Sequence, residues 1–210
     1  IKKITRTSKV RYLTRKKNGK HKKASELSEE SIKKQAEKGD VESMIKYGIM
    51  LREGNEVKVD ERESIRFFKK AADNGSSQGM AEYALTLVLN EWIPCNKSEV
   101  VEYCKRSVEM GNTDALRVYG LILAKGFGIP KNSTEAVRYF KMAIEKGHTG
   151  AMSDYAYMLK KGEGIPKNSS EAIRYYKMAI DKGDTSAMNG YAFMLKLGEG
   201  IPKNSSEAAR

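Results

Sequence analysis

The chain has 210 residues, 40% of them hydrophobic and 31% charged, with a formal net charge of +12. No apolar run approaches the roughly 20 residues needed to span a bilayer, which argues against a membrane-spanning helix. The charge is localised: residues 1–23 carry eleven Lys or Arg and no Asp or Glu, leaving 28 basic against 27 acidic side chains over residues 24–210.

Residues 1–23 show no apolar periodicity and end in the block RYLTRKKNGKHKK. Dense like charge of this kind predicts a solvated, disordered tail or linker, or else a contact for nucleic acid or other acidic surfaces. Residues 24–38 contain SELSEESIKKQAEK, which precedes Gly39 as IRYYKMAIDK precedes Gly183. This segment is expected to be the remnant second helix of a preceding unit, or an N-terminal cap. Its packing face is weak, because Ser31 and Gln35 stand where later units have Phe67 or Tyr175 and Ala71 or Ala179.

From Gly39 onward the chain repeats itself. Gly39, Gly75, Gly111, Gly147 and Gly183 each open a unit of 36 residues, the last one cut short at Arg210. A fixed period in this range predicts stacked supersecondary units, so residues 39–210 form one repeat array. A start at Ile and a stop within a unit lead to the expectation of a segment from a longer polypeptide.

Each clear unit reads as helix, short loop, helix. Ala151, Tyr155 and Leu159 recur as Ala115, Tyr119 and Leu123 and as Ala187, Tyr191 and Leu195. A spacing of four places them on one helix face. Gly162 and Gly164 then allow positive φ and close the helix. In the following IPKNSSE, proline disfavours helix at the residue before it and Asn168 is placed to cap the next helix. Glu171, three residues on, suggests a capping box. The same cap falls at Asp60, Asn96, Asn132 and Asn204. In the second helix, Ala172, Tyr175, Tyr176, Ala179 and Ile180 recur at helical spacing, small residues alternating with aromatics as close packing requires.

The Gly75 unit departs from this plan, with Asn90 and Trp92 where the other loops mostly have glycine, and Cys104 and Ser107 in its second helix. Trp92 is expected to fold over its loop, with a partner contact as the alternative. Cys95 and Cys104 are too few for a disulfide framework, and Cys104 takes the place of Phe68, Phe140 and Tyr176, as a small buried residue would.

The series A-x(3)-Y-[GA]-x-x-L-x-x-G-x-G-I-P-K-N-x-x-E-A-x-R-Y-[YF]-K-x-A-I-x-K-G resembles the Sel1-like repeat, a relative of the tetratricopeptide repeat. The match covers residues 39–210 and is weakest in the Gly75 unit. The family usually has Trp at the places of Tyr139 and Tyr175 and Tyr at those of Leu123 and Leu159. The resemblance implies an all-α fold, a right-handed superhelix of antiparallel α-hairpins whose first helices line a concave surface. It further implies an adaptor or scaffold in signalling or protein quality control, in some chains attached to a catalytic domain. Function is not settled by fold.

A candidate site follows from first-helix positions between the core residues. Ile49, Leu85, Leu121, Tyr157 and Phe193 form a row that is apolar in every unit. It either lines the groove or packs between adjacent first helices. One turn on, Arg52, Lys160 and Lys196 share a position, with Lys125 and Lys161 beside them. The pair of rows suits a protein or peptide partner with apolar anchors and acidic flanks. Within the Gly147 unit, Ser153, Tyr157, Lys160 and Lys161 are less constrained by the hairpin than the residues that specify the repeat.

Other signals carry less. Asn74, Asn96, Asn132, Asn168 and Asn204 lie in N-x-[ST] triplets, but four share the cap position, which explains both residue types. The GEGIP loops follow helices and lack a phosphate-loop pattern. His21 and His148, the only histidines, have no metal-spaced or catalytic companions. The expectation is therefore a non-enzymatic protein-binding scaffold with no cofactor or metal. Alternatives are an accessory segment of a larger enzyme, such as a kinase or a ubiquitin-ligase or ER-associated degradation component, and acidic-surface binding by the tail. The expected compartment is the cytoplasm, or the ER lumen if the triplets are glycosylated.

Overall fold

A computed structural model describes residues 28–204; the basic segment 1–23 lies outside them. Among the described residues the secondary structure is helical throughout, with ten helices. A short helix α1 (Glu29–Glu37) is followed by four hairpins: α2 (Val41–Glu53) with α3 (Glu61–Asp73), α4 (Ser77–Leu89) with α5 (Lys97–Glu109), α6 (Thr113–Lys125) with α7 (Ser133–Glu145), and α8 (Thr149–Lys161) with α9 (Ser169–Asp181). Helix α10 (Thr185–Leu197) begins the fifth unit. The expected α-solenoid is thus present, and the Gly75 unit keeps its hairpin despite its divergent loop.

The residues that recur in sequence recur as core. Ala115, Leu123, Ala151, Tyr155, Leu159, Ala187 and Leu195 are buried in first helices, and Ala172, Tyr176 and Ala179 in α9. Every complete hairpin is also pinned by an edge-to-face ring pair twenty residues apart. Tyr47 meets Phe67, Tyr83 meets Tyr103, Tyr119 meets Tyr139 and Tyr155 meets Tyr175, with centroids 5.1, 5.7, 4.8 and 4.8 Å apart. This geometry suits the quadrupoles of the two rings.

The caps form as expected in one half and differently in the other. Asn168 Oδ1 accepts from Glu171 N–H at 3.0 Å, but Glu171 does not reach back to the Asn168 backbone. That N–H donates to Leu159 O at 3.0 Å, tying the loop to the helix before it. Asp60, Asn132 and Asn204 make the same backbone bond to Leu51, Leu123 and Leu195. A donor already satisfied by a carbonyl leaves the capping-box carboxylate no role there.

The second loop glycine has a stacking role beyond its turn. Gly164 has φ +75°, and a Cβ there would stand 2.3 Å from Ser133 O at the start of α7. Gly128 and Gly200 lie likewise against Lys97 and Ser169, the first residues of α5 and α9. Each loop thus rests on the second helix of the preceding unit, at a distance only glycine permits.

Candidate binding surface

Successive first helices approach one another directly, α2 to α4, α4 to α6 and α8 to α10, whereas successive second helices make no comparable backbone approach. The array therefore bends with its first helices on the inner side. Polar side chains link that inner side from unit to unit. Arg52 pairs with Glu82 at 2.5 Å, and Gln78 bridges Glu82 and Asp114 at 2.9 and 3.1 Å. His148 Nε2 lies 3.2 Å from Asp114. The bonds from His148 and Gln78 hold the Asp114 carboxyl below its usual range against the opposing effect of burial.

The joint between α6 and α8 is more open than those of α4 with α6 and α8 with α10. A salt bridge spans it: Arg117 Nε to Asp154 Oδ2, 2.6 Å, with side chains 22% and 21% exposed. Burial raises the Asp154 carboxyl while Arg117 opposes the shift. Room for the guanidinium comes from Gly150, where a Cβ would lie 3.1 Å from Arg117 Nε. Beside this bridge opens a pocket of about 460 Å³, with Leu121 and Ala124 from α6 and Tyr157 and Met158 from α8 among its walls. Lys125 with Glu91 (2.8 Å) and Lys131 with Glu163 (3.1 Å) form ion pairs at its rim.

The apolar row divides along the array. Ile49, Leu85 and Leu121 are half-buried against the core. Tyr157 and Phe193 are 45% and 49% exposed. Lys160 stands between these two rings, its Nζ 4.5 Å from the Phe193 centroid and 5.4 Å from that of Tyr157. Lys161 lies 5.8 Å from the Tyr157 centroid. Burial and the neighbouring Lys161 lower the Lys160 ammonium's pKa.

The basic row divides in the same way. Arg52 is committed to Glu82, and Lys125 donates to Val88 O as well as to Glu91. Lys161 and Lys196 are exposed. The structure thus gathers Tyr157, Phe193, Lys160 and Lys161, while Ile49, Leu85 and Arg52 serve the stacking of the N-terminal units.

Outside those rows, two expectations are corrected and one residue gains a role. Ser153 is not an unconstrained surface position: it is buried and donates to Asp184 at 2.8 Å, supporting the cap of α10. Trp92 does not fold over its loop and is 66% exposed. His148 is the N-cap of α8, Nδ1 accepting from Ala151 N–H at 3.2 Å, where other units use Asp40, Ser76, Asn112 and Asp184. Cys95 and Cys104 are both free, with Cys104 buried as expected. Ala124 and Met158 were not legible as site residues, since the opening they line arises from spacing between units rather than from a pattern within one.

Solved structures share this architecture. A Sel1 repeat protein from Oxalobacter formigenes is 26% identical, with a TM-score of 0.68 over 86% of this chain and 72% of its own. A putative Sel1 repeat protein from Klebsiella pneumoniae is 18% identical, with a TM-score of 0.67 over 86% of this chain and 88% of its own. A protective antigen of uropathogenic Escherichia coli is 23% identical, with a TM-score of 0.59 over 87% of this chain but 39% of its own. The latter two show the fold alone. The comparison with curated proteins finds no match. The family profile described as Sel1 repeat matches residues 41–76, 113–148, 149–184 and 185–210, passing over the divergent unit between the first two. Matched over more than half of its length, in the frame that the helices themselves follow, the chain belongs to the Sel1 repeat family.

Proposed function

We propose that this chain is a non-catalytic scaffold that binds partner polypeptides on its inner surface, through the C-terminal half of that surface. Proteins built from Sel1 repeats generally serve as protein-interaction scaffolds. The observation that carries the reading is the pair of exposed rings, Tyr157 and Phe193, enclosing Lys160. Aromatic surface at low entropic cost, beside a partly desolvated cation, is the composition of an interface hot spot. Their neighbours Lys161 and Lys196 favour a partner with acidic residues beside its apolar anchors.

Site-specific photocrosslinking tests this reading. Benzoylphenylalanine in place of Phe193 is expected to trap a partner, while the same group in place of Met178, exposed on the second helix α9, traps none. Adducts from position 178 alone would contradict it.

A further inference from the structure

The Lys160 patch and the α6–α8 pocket are separate features that Tyr157 joins, since it lines the pocket on one side and meets Lys160 on the other. We infer that together they form a two-part, directional site for an extended partner peptide, with one large apolar side chain in the pocket and acidic residues lying toward α10. This inference rests on the proposed inner-surface binding and specifies the peptide.

Charge sets the direction. At the pocket, each rim lysine already has a carboxylate: Lys125 has Glu91 at 2.8 Å and Lys131 has Glu163 at 3.1 Å. An incoming acidic residue would meet Glu91 and Glu163 there and gains little. Toward α10, Glu199 lies near enough to act on the Lys160 charge, but among the described residues no ion pair joins Lys160, Lys161 or Lys196 to a carboxylate within 4 Å. Lys160 is in addition partly desolvated, so a carboxylate beside it relieves an existing cost. The pocket itself suits an apolar group. Leu121, Ala124, Phe140, Met158 and Tyr157 supply apolar surface, the Asp154 carboxyl in the same lining is already paired with Arg117, and about 460 Å³ exceeds the volume of any single side chain. It lies within the range of small-ligand clefts.

Spacing follows from geometry. The pocket lies between α8 and α6 and the Lys160 patch between α8 and α10, so they are separated by about one helix diameter, about 10–12 Å, and an extended chain advances about 3.3–3.6 Å per residue. The acidic residue therefore falls about three positions from the anchor, always on the same side of it. Ala124 decides the anchor and Lys160 with Lys161 decide the acidic preference, so the two parts are separable by substitution.

The test is a selection of random 12-residue displayed peptides on the full 210-residue chain, followed by fluorescence titration of the selected peptides on three variants. The expected selection has a Leu, Met, Phe or Trp followed or preceded, in one direction only, by Asp or Glu about three residues away. Ala124→Glu is expected to weaken binding at least tenfold through the anchor. Lys160→Glu/Lys161→Glu is expected to weaken acidic peptides at least tenfold and to leave variants with Asn and Gln in place of the acids within about twofold. Tyr157→Ala/Phe193→Ala removes both kinds of binding. Peptides lost on Tyr157→Ala/Phe193→Ala but indifferent to the other two variants would overturn the two-part site and leave inner-surface binding standing. Acidic peptides indifferent to all three variants, as capture by the basic segment 1–23 would produce, overturn both readings, as does a selection that yields no peptide. Circular dichroism and melting of each variant separate loss of the site from loss of the fold. Should Ala124→Glu fail to fold, Ala124→Ser and Met158→Ala are titrated instead, and an unchanged anchor preference in both overturns the pocket assignment.

Discussion

Arg117 and Asp154, 37 positions apart, meet at 2.6 Å across the joint between α6 and α8, which is more open than those of α4 with α6 and α8 with α10. Neither residue belongs to the repeat: Arg117 corresponds to Ala81 and Ser153, and Asp154 to Val118 and Gly190. The two units pack through α7 and α8, and the bridge adds a side-chain tie between their first helices beside the pocket.

Arg117→Ala is expected to cost about 2 kcal/mol at neutral pH, because it leaves the Asp154 carboxylate shielded and unpaired. The sign with pH follows from the raised Asp154 carboxyl. The folded form takes up a proton more readily than the unfolded one, so the charged carboxylate weakens the fold as pH rises through the folded value. The loss caused by Arg117→Ala should therefore shrink in acid, and Asp154→Asn should rescue much of it at neutral pH. Urea denaturation of the two single variants and the double, at pH 7 and at acid pH, checks both statements.

Asp114 behaves in the opposite sense. Its carboxyl is depressed by His148 and Gln78, so its contribution is full above the ordinary aspartate value of 3.8 and is lost as pH falls through the lower folded value. Asp114→Asn is expected to make the acid limb of the stability profile shallower, as read by melting temperature between pH 2 and pH 6.

Two glycine substitutions separate turn conformation from stacking. Gly147→Ala meets open space at φ +84° and should cost about 1 kcal/mol from the left-handed backbone alone. Gly164→Ala adds a clash with Ser133 O and should cost about 3 kcal/mol, since that contact cannot relax without moving α7. Chemical denaturation gives both values, and equal losses would count against the loop as a stacking element.

At the caps, Asn168→Ala is expected to cost about 1 kcal/mol, whereas Glu171→Ala should cost less. The Glu171 side chain stands near Arg174 and the Asn168 amide rather than on a backbone donor. Melting curves of the two variants rank them.

The fold was legible because its determinants recur. Tyr155, Leu159, Gly162, Asn168, Tyr176 and Gly183 each have counterparts at 36-residue steps, and each reports a local requirement: a core face, a left-handed turn or a cap. The candidate surface was only half legible, because it depends on residues that break the period. Arg52 looked equivalent to Lys160, yet Glu82 in the next unit engages it. Lys125 looked equivalent to Lys161, yet Glu91 in the divergent loop engages it. Which rings and cations stay at the surface is decided by contacts between units.

The most direct measurement is affinity capture by the full chain compared with Tyr157→Ala/Phe193→Ala, quantified partner by partner and paired with the melting temperature of each protein. Both side chains are about half exposed, so the double variant should melt close to the parent, and the partners held by the parent are expected to be lost from it. Unchanged capture by a variant that remains folded would contradict this expectation.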